Sequence, residues 1–93
     1  MNISVQELLS LSSPNIIDIR PAQNYNNNHI PGAINVPYNS LVISPDKYLK
    51  RDEVYYIYCK HGQTSKGLTQ FLNKQGYKTY NVIGGYDAWV LQS

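Results

Sequence analysis

The sequence holds a single cysteine, Cys59, among its 93 residues. A lone thiol cannot close an internal disulfide, so the fold must stand without a covalent staple, and a reducing compartment, by default the cytoplasm, is expected. Charge is scarce as well: Asp, Glu, Lys and Arg make up 15% of the chain and leave a net charge of +2. The one gathering of cations, Lys47, Lys50 and Arg51, is interleaved with Asp46, Asp52 and Glu53. It reads as a solvated turn rather than the unmixed basic face that binds nucleic acid. No window approaches the length of a membrane span, and no basic stretch leads into an apolar one at the N-terminus, so neither a membrane segment nor a leader is expected. With two histidines and one cysteine, the chain is poor in metal ligands, and no metal or other cofactor is expected. Repeats, linkers and low-complexity segments are missing too.

What is present fits one globular domain over residues 1–93, because a chain of this length has room for one core. Hydrophobic residues make up 42% of it, an ordinary share for a globular protein. Ser4 and Glu7 have the spacing of a capping box, flanked by Ile3 and Leu8 at the staple positions, and Val5, Leu8 and Leu9 give the helix an apolar face. Ser12, Ser13 and Pro14 end it. Asn15 to Ile19 reads as a buried strand, Arg20 to Asn28 as surface loop with one short helix, and Ile34 to Pro37 as a brief strand after the turn His29 to Ala33. Residues 38–52 carry no clear pattern, apart from a helical turn that Pro45 could open.

Val54 to Tyr58 is the strongest strand signal, since every residue is β-branched or aromatic, and its uniformity predicts a central strand covered on both faces. Ser65 to Gln75 reads as a helix with Leu68, Phe71 and Leu72 on one face and Gly76 at its end. Lys78 to Ile83 is a further strand, Gly84-Gly85 a turn, and Tyr86 to Leu91 a terminal helix. Helices alternating with short buried strands imply an α/β sheet, mostly parallel, with helices on both faces.

Chemistry centres on Cys59, which stands between a central strand and a short loop that opens a helix. Ligands in open α/β sheets bind beyond the carboxyl ends of strands. A loop curled about the sulfur would aim the unpartnered amides of the helix start at it, and those amides and the helix dipole favour the thiolate, which is the nucleophile. Lys60, His61 and Lys66 act in the same direction where they face the site. The competing reading is a small buried hydrophobe, the usual role of a lone cysteine beside an apolar strand. Lys60 to Ser65 contain one glycine, too few for a nucleotide-binding phosphate loop, and no second cysteine stands at redox spacing.

Four stretches together resemble the rhodanese family along nearly the whole chain. They are Ile16-Ile17-Asp18-Ile19-Arg20; Tyr25 with His29-Ile30-Pro31-Gly32-Ala33-Ile34-Asn35-Val36-Pro37; Tyr58-Cys59-Lys60-His61-Gly62-Gln63-Thr64-Ser65; and Gly84-Gly85-Tyr86-Asp87-Ala88-Trp89. The resemblance implies a three-layer α/β/α domain with a mostly parallel sheet of about five strands. It also implies a sulfurtransferase of the thiosulfate type. Cys59 would take sulfane sulfur from thiosulfate or a persulfide and pass it to cyanide, a thiol or a protein acceptor, by covalent catalysis. In this reading Lys60, His61, Gly62, Gln63, Thr64 and Ser65 bind the transferred group, and Asp18 and Arg20 support the loop.

Many active members of that family carry arginine directly after the cysteine and again four residues later, where this chain has Lys60 and Thr64. Lysine lacks the bidentate fork that suits a sulfonate, so weak thiosulfate binding is expected. Related phosphatases and arsenate reductases use a loop one residue longer, closed by an arginine, and no arginine follows Arg51 here. A partner-docking module without catalysis is the other alternative, although inactive relatives usually replace the cysteine.

The bland readings are set beside these. Asp18 would cap backbone donors, Arg20 would make an internal ion pair, and His29 would be structural. His61 would line the pocket or face solvent, and Trp89 and the tyrosines of 54–58 would be core. No exposed apolar stripe is evident, so a monomer is expected.

Overall fold

The computed structural model describes residues 1–92. Its centre is a five-stranded sheet in which every pairing is parallel. The strands are β1 (Asn2–Ile3), β2 (Asn15–Asp18), β3 (Ile34–Asn35), β4 (Val54–Tyr58) and β5 (Lys78–Val82), in the spatial order β1-β5-β4-β2-β3. The helices are α1 (Val5–Leu9), α2 (Ala22–Asn27), α3 (Tyr38–Ile43), α4 (Gln63–Lys74) and α5 (Gly85–Gln92), with a 3-10 turn at Pro45–Lys47. No helix among the described residues is long and apolar enough to cross a membrane.

The β-branched and aromatic run Val54–Tyr58 forms the middle strand, and the alternation of its side chains builds two cores. Tyr55, Ile57 and Cys59 join Ile17, Ile19, Leu41, Leu68 and Leu72 on one face, beneath α3 and α4. Tyr58 joins Val5, Leu8, Ile16, Ile30 and Val82 on the other, with Tyr86, Ala88 and Trp89 of α5 packed against them. This gives the three layers that the resemblance implied.

Local signals hold well at the start of α1, where the Ser4 hydroxyl accepts from the Glu7 amide and the Glu7 carboxylate accepts from the Ser4 amide. The staple residues Ile3 and Leu8 are both buried in the second core. Gly76 has φ +94°, and the Tyr77 amide reaches back to the Leu72 carbonyl, so α4 ends as a left-handed glycine dictates.

Several expectations are corrected. The short strand β1 reads in sequence as the lead-in to a helix, because two residues carry no periodicity. Helix α3, with the sequence YNSLVI, combines residues of poor helical propensity and is held by Leu41, which is wholly buried. Helix α4 buries Ser65, Leu68, Thr69 and Leu72, leaving Phe71 43% exposed and off the apolar face assigned to it. Leu9 is 50% exposed, so the buried face of α1 is Val5 and Leu8 alone. Trp89 lies at the margin of the second core rather than inside it.

A candidate active site at the carboxyl end of the central strand

Cys59 follows the last residue of β4, and three residues later Gly62, at φ +95°, turns the chain into α4. A left-handed turn at this point suits only glycine, and space enforces it as well. A Cβ on Gly62 would lie 2.8 Å from the amide nitrogen of Gly84. The turn folds the loop over the sulfur: the Gly62 amide donates to Cys59 Sγ at 3.1 Å and the Ser65 amide at 3.4 Å.

The other side of the loop is pinned by α5. The Tyr86 amide donates to the Cys59 carbonyl at 2.9 Å and the Asp87 amide to the Lys60 carbonyl at 3.0 Å. The N–H of a trans peptide points opposite to its carbonyl, so fixing these two carbonyls outward turns the amides of Lys60 and His61 toward the inside of the loop. Gly85 makes the close approach possible, since a Cβ there would sit 2.3 Å from the Cys59 carbonyl oxygen. The turn Gly84-Gly85 is thus half of the site's backbone frame.

Burial pushes the Cys59 thiol up, but the hydrogen bonds that its ionised form accepts from the Ser65 hydroxyl and from the amides of Ser65, Gly62 and His61 outweigh it and hold the thiol below its ordinary value. Cys59 is 8% exposed and floors a depression of about 100 Å³ shared with Lys60, His61, Gln63 and Thr64. Larger hollows lie elsewhere: an apolar one of about 280 Å³ between α1 and the start of β2, and one of about 330 Å³ beside the loop, lined in part by Asn2, Lys66 and Asn81. Neither contains the sulfur.

The predicted residues of the loop fall into three groups. Gly62 and Ser65 touch the sulfur directly. Gln63 and Thr64 are exposed around its depression. Lys60 and His61 stand on the rim, but both are directed at Asp87, with Lys60 Nζ 3.1 Å from one carboxylate oxygen and His61 Nδ1 on the other. The Lys60 ammonium and, behind it, the His61 ring hold the Asp87 carboxyl below the usual range. Lys66 faces the neighbouring hollow and not the depression over Cys59.

Asp18 and Arg20 lie behind the loop. Asp18 is wholly buried, pairs with Arg20 at 2.8 Å and accepts from the Arg20 amide and the Tyr58 hydroxyl. The Tyr58 hydroxyl accepts in turn from the Ile30 amide. Burial and the Asp18 carboxylate push the Tyr58 phenol well above its ordinary value. The Arg20 guanidinium lies 4.0 Å from the centre of the Tyr86 ring. Through Tyr86, whose amide holds the Cys59 carbonyl, this ion pair supports the loop without reaching the sulfur. His29 stacks on Tyr25 with ring centres 3.8 Å apart, a structural contact far from the thiol in the hydrogen-bond network.

Two site residues escaped the sequence reading. Asp87 gives no local signal, being one more polar residue of a short terminal helix. Asn81 had one: Thr79 and Asn81 alternate in phase on a strand that must be buried, and both are inward, at 0% and 3% exposure. Asn81 accepts from the Ser65 hydroxyl behind Cys59.

Comparison with known proteins agrees with this fold. The chain matches the rhodanese-like domain family model over residues 4–92. It is 30% identical over 91 residues to the adenylyltransferase and sulfurtransferase uba4 of Ogataea parapolymorpha, a match covering 97% of this chain and 23% of that protein's length. Among solved structures, the rhodanese-like domain protein of Staphylococcus aureus superposes with a TM-score of 0.83 at 29% identity, covering 96% of this chain and 91% of that one. A rhodanese-related protein of Thermoplasma volcanium superposes with a TM-score of 0.89 at 27% identity, covering 99% and 92%. With the family model matched over residues 4–92 and the same fold in solved rhodanese-like proteins, the chain belongs to the rhodanese-like domain family.

Proposed function

We propose that the protein is a sulfurtransferase of the thiosulfate type, which accepts sulfane sulfur on Cys59 as a persulfide and hands it to a thiol, cyanide or a protein acceptor. The observation that carries this reading is the set of amides around Cys59 Sγ at the floor of a depression sized for a small group. In the first half-reaction the Cys59 thiolate attacks the outer sulfur of the donor. A new S–S bond forms, the donor's own bond to that sulfur breaks, and its electron pair leaves with sulfite or a thiolate. In the second, an acceptor nucleophile attacks the outer sulfur of the Cys59 persulfide and the pair returns to Sγ. The loop amides serve both anions without reorganising, because the Gly62 turn and the bonds from α5 to the Cys59 and Lys60 carbonyls hold the loop in place.

The rim favours a persulfide or a protein-bound sulfur over thiosulfate as donor. Thr64 offers a hydroxyl only, and the Lys60 ammonium and the His61 ring are already drawn to Asp87, which leaves little free positive charge for a dianion. The lone thiol suits a reducing compartment, so we place the reaction in the cytoplasm.

Intact mass measurement tests the reading. Reduced protein incubated with thiosulfate or a low-molecular-weight persulfide gains one sulfur, and Cys59→Ser gains none. Absence of any gain with every donor, alongside turnover of an aryl phosphate, would replace sulfur transfer with phosphatase chemistry.

A further inference from the structure

Behind Cys59 lies a short buried chain of side chains that ends away from the depression. Ser65 Oγ is 3.3 Å from Cys59 Sγ and donates its proton to Asn81 Oδ1. Asn81 Nδ2 donates at 3.2 Å to Asn2 Oδ1 on β1. Ser65 is wholly buried and Asn81 is 3% exposed, so the bond between them is sheltered from solvent, while the outer bond to Asn2 lies at the surface.

A hydroxyl has one proton to give. With that proton on Asn81, Ser65 Oγ faces the sulfur with lone pairs only, and the contact is made by the thiol S–H donating to Oγ. This arrangement favours the neutral thiol. A thiolate can only accept, so when the S–H bond breaks and its proton passes to water, the Ser65 O–H must rotate from Asn81 to Sγ. Asn81 cannot follow, because its amide is tied to Asn2 and its strand is paired on both sides, with β1 and with β4. Its Oδ1 is then left buried without a donor, which is costly.

We propose that Asn81 is a positioning residue that holds the Ser65 proton away from Cys59 in the resting protein and yields it when the thiol ionises, making Ser65 a two-position switch on the nucleophile. The thiol is thereby kept less reactive at rest than its amide cradle alone would make it. The groups around Cys59 that titrate or carry charge are Lys60 and His61 on the loop, Asp87 on α5, Lys66 on α4, and Tyr58 with the Asp18–Arg20 pair behind β4. None of them hydrogen-bonds to Ser65 or Asn81, so the switch acts apart from them. The proposal deepens the reading of Cys59 as nucleophile, and its test reads the thiol itself whether or not sulfur is transferred.

The experiment follows thiolate formation by its ultraviolet absorbance as pH is raised, in the native protein, Asn81→Ala, Asn81→Leu, Ser65→Ala and the double variant Ser65→Ala/Asn81→Ala, each checked for folding by circular dichroism. Removing the Asn81 acceptor frees the Ser65 proton for the thiolate, so the midpoint falls by about one pH unit. Asn81→Leu, close in volume, gives the same sign and stands in if the alanine variant does not fold. Ser65→Ala raises the midpoint, and in that background the Asn81 substitution has no further effect. A midpoint that rises or stays put on removing Asn81, or a fall that persists without Ser65, overturns the proposal. Neither result bears on whether Cys59 accepts sulfur, which the mass measurement decides separately.

Discussion

Gly85→Ala is the sharpest perturbation of the backbone frame. The new Cβ would stand 2.3 Å from the Cys59 carbonyl oxygen, 2.9 Å from that of Lys60 and 3.0 Å from the Gly62 nitrogen. Real Cβ atoms essentially never approach closer than 3.0 Å, so the loop and α5 must separate by several tenths of an ångström at least. That motion stretches the bonds from the Tyr86 and Asp87 amides to the Cys59 and Lys60 carbonyls, each contributing about 1 kcal/mol. Alanine at φ +58° adds about 1 kcal/mol of its own. The loss is about 3 kcal/mol, a large part of the stability of a small domain. Urea unfolding measures it. The same separation frees the loop peptides to rotate and withdraws amides from the sulfur, so alkylation of Cys59 by iodoacetamide shifts its pH midpoint upward. A Gly85→Ala protein within about 0.5 kcal/mol of the native one, with an unmoved alkylation midpoint, would refute the clamp.

Three further outcomes are expected. Asp18→Asn strands the Arg20 guanidinium, which is 7% exposed, and costs about 3 kcal/mol in urea unfolding; a cost below about 1 kcal/mol would show that Arg20 is content with the Asn28 carbonyl and the Tyr86 ring. The Tyr58 phenol is raised in the folded state, so its contribution is complete below the unfolded value of about 10 and is lost as pH rises above it. Stability then falls by up to about 1.4 kcal/mol per pH unit, a slope that Tyr58→Phe lacks. Asp87→Asn releases Lys60 and His61, lowering the Michaelis constant for thiosulfate roughly two- to five-fold with kcat little changed, and the gain fades at high salt; an unchanged constant would mean that the rim charges do not meet the donor.

How far the sequence revealed the site depends on whether a residue acts through its neighbours in the chain or across the fold. Val54 to Tyr58 is legible because each side chain has the same preference, and Cys59 because a strand end followed by a glycine loop and a helix is a local pattern. The capping box at Ser4 is legible for the same reason. Asp87 lies 26 and 27 residues from its partners His61 and Lys60, and only the packing of α5 against the loop joins them. The likeness of Lys60 and His61 to substrate-binding cations was therefore readable, while the carboxylate that occupies them was not. Phe71 shows the complementary limit. Its spacing fits the apolar face, but the sheet covers the side of α4 centred on Leu68 and Leu72, and short polar Ser65 and Thr69 fill the positions closest to β5 and the sulfur.

A thiolate at Cys59 is stabilised by backbone dipoles at 3.1 and 3.4 Å, with the Lys60 ammonium held off on the rim by Asp87. Short-range dipoles inside a closed loop are hardly screened by salt, whereas exposed charges on the rim are. The chemistry of the sulfur should therefore be nearly indifferent to ionic strength, and only the capture of a charged donor should depend on it. The same division sets where the chain tolerates change. The side chains of Lys60 and Thr64 can vary with the donor, since neither hydrogen-bonds to the sulfur and the frame holds Lys60 by its backbone carbonyl. Gly62 and Gly85 cannot, because any Cβ at either position meets backbone of the facing segment, and backbone has no rotamer with which to yield. The positions that look most chemical in the sequence are thus the replaceable ones, and the plain glycines are the ones on which a nucleophilic Cys59 depends.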